Sequence, residues 1–261
     1  MRIDQLLVQR GLASTRSQAQ RLIGSGVQCR TDGPWKRVAK NGDLVDPDCE
    51  IELLDRSEAR FVSRGGLKLE GALTHTGLAV TGLLCLDLGQ STGGFTDCLL
   101  QRGARHVVGI DVGYGQLHDQ LRQDDRVSCI ERVNARALQR EELAAAVPGF
   151  QLDAGLQFDL IVGDLSFISQ TLVLPAAVPL LCPGGAVLML VKPQFELQPG
   201  QVGKGGIVTD AAMFAVVEQR IRTAHASLGL RVQAFFPSPI EGGDGNREFF
   251  VYSTLQPEVL P

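Results

Sequence analysis

Paired cysteines are missing from this sequence. Its six, at positions 29, 49, 85, 98, 129 and 182, are scattered, form no C-x-x-C and have no histidine at the spacing of a zinc partner. That argues against a disulfide scaffold or a structural zinc site, and the expectation is reduced thiols and no metal. The 30 glycines and 12 prolines follow no period, which excludes a collagen-like chain, and 44% hydrophobic residues is too many for a disordered one. Charge is missing from residues 165–191, a run long enough to span a bilayer. Pro175, Pro179 and Pro183, followed by Gly184 and Gly185, break that run. The expectation is a buried helix, a turn and a central strand over 186–191, without stable membrane insertion. The opening Met1-Arg2-Ile3-Asp4-Gln5 lacks the basic and apolar regions of a signal peptide, so the expected location is the cytoplasm.

What is present divides the chain in two. Residues 1–40 hold eight basic side chains against two acidic ones, a surplus of six, although the whole chain of 261 residues has a net charge of −4. Over residues 43–58 the sign reverses, with seven acids against Arg56 alone. A local basic patch suits a polyanion partner; a solvated charged face is the plainer alternative. Ile3, Leu6 and Leu7 line one face of a helix that Gly11 ends. Thr15-Arg16-Ser17-Gln18 reads as a capping box opening a second helix, with Ala19, Leu22 and Ile23 inward and Arg16, Gln20 and Arg21 outward. Gly24-Ser25-Gly26 stops it, and extended pieces follow near Val27, near Val38 and over 51–54.

Beyond Phe61 short apolar strands alternate with helical stretches, the pattern of a doubly wound α/β sheet. Strands are expected at 83–87, 106–111, 127–131, 158–162 and 186–191, a long helix at 210–227, and a last pair of strands at 231–237 and 248–253. Such sheets bind ligands beyond the carboxyl ends of their strands. The first end carries Asp87-Leu88-Gly89-Gln90-Ser91-Thr92-Gly93-Gly94-Phe95, where glycines let backbone approach a ligand and a new helix offers free amides. The stretch has neither the Lys-Ser/Thr ending of a P-loop nor the G-x-G-x-x-G spacing, which disfavours a nucleoside triphosphate and a dinucleotide. A purely structural turn would also explain it. The second strand ends in Asp111, which can accept from ribose hydroxyls, and the third leads to Asn134, which can border an adenine.

Four further polar residues sit where this topology can gather them: Lys68 on the first helix, Asp164 after the fourth strand, Lys192 after the fifth and Glu248 at the last. Each alone could be a surface charge or an ion pair, but lysine and aspartate at adjacent central strand ends face the ligand crevice, where lone burial is costly. Transfer of a methyl group to a ribose hydroxyl accounts for the set, because the attacking oxygen must be aligned and must lose its proton. Lys192 either deprotonates that oxygen or orients it. Lys204, between glycines ahead of the long helix, either binds an RNA phosphate or lies in an exposed loop.

These strings resemble known families. Arg2-Ile3-Asp4-x-x-Leu7 and Gly11-Leu12-Ala13-Ser14-Thr15-Arg16-x-x-Ala19 are similar to the αL RNA-binding motif of a small-subunit ribosomal protein, although Val27-Gln28-Cys29-Arg30-Thr31-Asp32-Gly33 replaces its usual hairpin. Asp-x-Gly-x-x-x-Gly-Gly followed by Asp111 resembles S-adenosylmethionine-dependent methyltransferases, with Gln90 where a small residue is usual. The order Lys68, Asp164, Lys192, Glu248 resembles the catalytic tetrad of FtsJ-like ribose 2′-O-methyltransferases. With Val62-Ser63-Arg64-Gly65-Gly66-Leu67-Lys68-Leu69, Asp164-Leu165-Ser166-Phe167-Ile168-Ser169 and Lys192-Pro193-Gln194-Phe195-Glu196, nearly the whole chain resembles the bacterial TlyA family, also labelled hemolysin A.

The resemblance implies a Rossmann-like methyltransferase domain over 62–261 and an α+β RNA-binding domain with linker over 1–61. It implies S-adenosylmethionine held by Asp87, Gly89, Gln90, Ser91, Gly93, Gly94, Phe95, Asp111, Asn134 and Asp164. It implies ribosomal RNA or a ribosomal subunit gripped by Arg2, Arg16, Gln20, Arg21, Lys36, Arg37 and Lys204, with methylation of cytidine 2′-hydroxyls. Two other functions compete, a non-catalytic ribosome-assembly factor and a membrane-active hemolysin. The complete tetrad argues against the first, and the broken apolar run against the second.

Overall fold

The computed structural model describes every residue except 14, 56–58, 146, 148–156, 243–244 and 257–261. Ser14 of the αL-like string and Arg56 and Glu58 of the acidic stretch therefore lie outside the described residues. The chain forms two compact units, Met1–Leu67 and Lys68–Pro261.

The first unit opens with helices α1 (Ile3–Gln9) and α2 (Arg16–Gly26), followed by strands β1 (Val27–Arg30), β2 (Lys36–Arg37) and β3 (Glu50–Leu53). The strands form an antiparallel sheet in the order β2-β1-β3. Thr15 caps α2 by accepting from the Gln18 amide at 3.2 Å, while the Gln18 side chain donates to the Phe61 carbonyl at 3.3 Å. Ile3, Leu6, Leu7, Ala19, Leu22 and Ile23 are all buried, which makes one apolar seam between the helices. Asp4 is fully buried beside them and accepts from Arg2 (3.0 Å) and Arg16 (2.9 Å). The Arg2 guanidinium holds the Asp4 carboxyl well below the usual range.

Helix α3 (Arg64–Thr76) leads into the large sheet of the second unit. Its elements run β4 (Leu84–Leu88), α4 (Gly94–Gln101), β5 (His106–Asp111), α5 (Asp119–Arg122), β6 (Val127–Glu131), α6 (Arg140–Ala145) and β7 (Phe158–Gly163). Then come α7 (Leu174–Ala177), β8 (Leu181–Val191), α8 (Pro193–Glu196), α9 (Ala211–Ser227), β9 (Leu230–Pro237) and β10 (Phe249–Leu255). The seven strands lie in the order β6-β5-β4-β7-β8-β10-β9, parallel through β8 and antiparallel for the last two. The central strands are apolar on both faces because helices cover both, and every residue of β4 is buried. The order reverses between β4 and β7, so the crevice falls beyond Leu88 and Gly163, as sequence predicted for a doubly wound sheet.

Strand β8 is longer than the expected 186–191. Leu181 already pairs with Phe158, and Pro183-Gly184-Gly185 sits where the β7–β8 register shifts. A proline is tolerated at such an irregularity because no ladder hydrogen bond is asked of it there. Among the described residues no helix is long and apolar enough to cross a membrane. All six cysteines are free, four of them buried.

Candidate active site

The glycine turn after β4 is shaped by backbone. Gly89 has φ +80 and Gly93 φ +93, and a Cβ on Gly93 would lie 2.4 Å from a methyl of Leu121. The turn is tied to β5 by the Gly89 and Gln90 amides, which both donate to the Ile110 carbonyl at 2.9 and 3.0 Å. Ser91 is exposed, and its amide donates to Asp111 Oδ2 at 2.8 Å. Asp111 Oδ1 accepts from Gly113 N at 2.7 Å, so the carboxylate stands fixed at the end of β5.

Beneath the turn runs a buried relay. Gln90 Nε2 donates to Thr96 Oγ1 at 2.9 Å, and Thr96 Oγ1 donates to Asp87 Oδ2 at 2.7 Å. The Gln90 side chain lies so close over Gly109 that a Cβ there would fall 2.0 Å from it. Its length is thus absorbed inward, and Gln90 offers the crevice backbone, not side chain. Asp87 Oδ1 is buried with no hydrogen-bond partner among the described residues. Burial pushes the Asp87 carboxyl up to about 7 against the pull of the Thr96 hydroxyl. Phe95 at the start of α4 is buried and stacks on Phe250, ring centroids 6.2 Å apart. Gly94 opens α4 beside it. Asn134 is exposed at the end of the β6 connection, where its side chain accepts from Arg136 N.

The four tetrad residues come together as two ion pairs. Gly71 lets α3 approach Pro239 so closely that a Cβ would lie 2.6 Å from the ring. That approach carries Lys68 to Glu248, with Nζ 2.5 Å from Oε2 and both side chains almost fully buried. Phe249 pairs with Val191, which sets Glu248 and Lys192 side by side one step beyond the ladder. Lys192 Nζ lies 2.6 Å from Asp164 Oδ1 and donates to Ser166 Oγ at 2.9 Å. Burial raises the Glu248 carboxyl, Lys68 pulls it down, and the charges of Asp164 and Lys192 also reach it, so the two pairs are electrically one cluster. The outer pair is partly open to solvent, as a reacting group must be.

Sequence reasoning missed two neighbours of Lys192 within strings it had singled out. One is Ser166; the other is Phe167, 91% exposed with φ 64 and its ring 5.3 Å from that of Phe195. Nothing local in the sequence marked the ring, because only the fold shows that it is exposed.

In the first unit Arg2 and Arg16 converge on Asp4, Gln20 is exposed on α2, and Arg21 donates to the Ser17 carbonyl. Lys36 and Arg37 form β2, both exposed. Lys204 is exposed in a 3-10 turn with Gly205 at φ 75 and Gly206 at φ 81.

A crevice edged by a fixed acid and a glycine-rich strand-to-helix turn, facing amines that can manage a hydroxyl proton, defines a Rossmann-like group-transfer enzyme. A family model described as FtsJ-like methyltransferase matches residues 61–255, and one described as S4 domain matches residues 1–26. The chain belongs to the FtsJ-like methyltransferase family. It is 44% identical over 98% of its length to the 16S/23S rRNA (cytidine-2′-O)-methyltransferase TlyA of Mycobacterium tuberculosis, covering 90% of that protein. It is 36% identical to Hemolysin A of Brachyspira hyodysenteriae over 97% of this chain and 99% of that one. A solved Streptococcus thermophilus structure named for hemolysin superposes with a TM-score of 0.73 at 39% identity, covering 99% and 91% of the two chains.

Proposed function

We propose that this protein transfers the methyl group of S-adenosylmethionine to the ribose 2′-hydroxyl of cytidine in ribosomal RNA. Residues 1–61 bind RNA, and residues 62–261 carry the transfer. The observation that carries the reading is Lys192 Nζ held between Asp164 and Ser166 at the open side of a tetrad, with Asp164 at the end of the strand next to that of the glycine turn.

The residues present fit the cofactor. The partnerless Asp87 Oδ1 suits the ammonium of a methionine moiety, Asp111 suits ribose hydroxyls, and the backbone of Gly89 to Gly94 suits close approach of an uncharged linkage. When bound, the sulfonium supplies an already activated methyl group, so the protein needs only to align the attacking oxygen and take its proton. Lys192 meets that oxygen. Asp164 and Ser166 hold the amine in place, and the Lys68–Glu248 pair keeps the inner wall of the cluster fixed. Phe167 presents an exposed ring on which a nucleobase can stack. Arg2, Arg16, Gln20, Arg21, Lys36, Arg37 and Lys204 are the proposed RNA contacts. A ribosomal substrate puts the protein in the cytoplasm.

The test is transfer of labelled methyl to ribosomal RNA from cells lacking the protein, followed by nucleoside analysis. The expected outcome is label in 2′-O-methylcytidine with the wild type. Lys192→Ala should give none above background while binding RNA as the wild type does. Retained turnover in that variant removes Lys192 from its role.

A further inference from the structure

One buried acid beside the cluster has no part in the chemistry above. Glu196 is the last residue of α8, the single helical turn that Lys192 caps, and is only 3% exposed. Its Oε1 accepts from Gln170 N at 2.9 Å, and its Oε2 accepts a short bond from Ser169 Oγ. Both donors end the loop that follows β7, the loop that begins with Asp164.

Two segments therefore meet in three rungs. Lys192 reaches Asp164 and Ser166, the Phe195 ring meets Phe167, and Glu196 grips Ser169 and Gln170. The first two rungs are open to water, and the third is buried. A helix of four residues does not hold itself, and the loop opposite contains Phe167 in an unfavourable backbone conformation. Neither segment fixes the Lys192–Asp164 distance alone. The buried rung is in turn anchored from behind. Arg220 on α9 donates to the Glu196 carbonyl at 2.6 Å, and Gln170 Oε1 lies 3.4 Å from His225 Nε2, whose Nδ1 is 2.8 Å from Ser253 Oγ on β10. Burying a carboxylate is costly, and a cap on a short turn does not require it. A hydrogen-bonded link between the two catalytic segments gives these buried contacts a role.

We propose that Glu196 is a positioning residue for methyl transfer, gripping the far end of the β7 loop so that Asp164 and Ser166 stay within hydrogen-bond reach of Lys192. The proposal rests on the function assigned to this site above. It acts first on the geometry of the amine, so its signature is a loss in kcat larger than any change in KM for RNA or in affinity for S-adenosylmethionine.

The test is steady-state methyl transfer by the full chain, with S-adenosylmethionine binding by calorimetry and thermal unfolding measured alongside. Glu196→Ala is expected to lower kcat roughly 10- to 100-fold, with KM for RNA and cofactor affinity close to wild type. Glu196→Gln keeps an acceptor for Gln170 N and should recover most of the rate. Ser166→Ala should cost less in the Glu196→Ala background than in the wild type, because the contact it removes is already loosened. A folded Glu196→Ala with wild-type kcat, a loss in KM alone, or full additivity with Ser166→Ala overturns the proposal. If Glu196→Ala does not fold, Ser169→Ala decides, since it removes one rung contact and should lower kcat several-fold; an unchanged kcat there overturns it equally. A wild-type chain that methylates no ribosomal RNA refutes the reading of the whole site instead, and the positioning role falls with it.

Discussion

Phe167 shows how much a single residue can say. A φ of 64 is a conformation that bulky side chains avoid, at a cost on the order of 1–3 kcal/mol, and a ring 91% exposed recovers little of it by burial. The proposed stacking of a nucleobase on this ring would be its return. Phe167→Gly relieves the strain, so its melting temperature should match or exceed that of the wild type. Methyl transfer at low RNA concentration should fall about 10-fold, the worth of one lost base stack. A lower melting temperature with unchanged transfer would assign the ring to folding. Identity at such positions was legible in the sequence, but conformation was not. The strings holding Asp164, Lys192 and Glu248 could be read because these residue types sit at strand ends, whereas Lys68 stands on helix α3. The inward course of Gln90, by contrast, depends on Gly109 in another strand leaving room for it. Likewise nothing local pairs Lys68 with Glu248; that contact is made by the approach of α3 to Pro239.

At the scale of elements, the parallel strands were readable within a residue or two because both their faces are buried and no polar alternation blurs them. Strand β8 misled because Pro183 and two glycines read as a turn, whereas the chain passes them through an irregular register. Gly71 sets the seat of α3. Gly71→Ala should cost about 1–3 kcal/mol of stability and lower kcat as well, since the helix that carries Lys68 must retreat; melting and turnover measured on one preparation check both. The joint of β4 with α4 makes a pH-dependent contribution. Asp87 is raised to about 7 by burial, so the folded state holds a proton that the unfolded chain has released, and stability from this group falls as pH rises from about 4 to 7. His225 is lowered to about 4 by burial, so its contribution rises over roughly pH 4 to 6.5. The two act in opposite directions. Asp87→Asn keeps an acceptor for Thr96 and removes the falling part. Denaturant melts of that variant should therefore show stability climbing from pH 4 to 6.5 more steeply than in the wild type; identical slopes would mean that Asp87 titrates normally.

Across the whole molecule, charge and chemistry are divided between the two units. The basic surplus lies in residues 1–40 of a chain with net charge −4, so electrostatic attraction for RNA should reside there. Replacing exposed Lys36 and Arg37 together by Gln should weaken RNA binding and make its salt dependence shallower by about 1.5 in the log–log slope. Measured affinities across a salt series check this, and a slope equal to that of the wild type would clear β2 of phosphate contact. The free cysteines have a different use. Cys29 and Cys49 are buried in the first unit, Cys85 and Cys98 in the second, and burial raises the Cys29 thiol to about 12 and Cys85 higher still. Thiol reagents can reach Cys49, Cys85 and Cys98, which are at most 1% exposed, only when their surroundings open. Each unit thus carries its own built-in clock, and timed alkylation read by peptide mass would report how often each half of the native chain opens, with no label added.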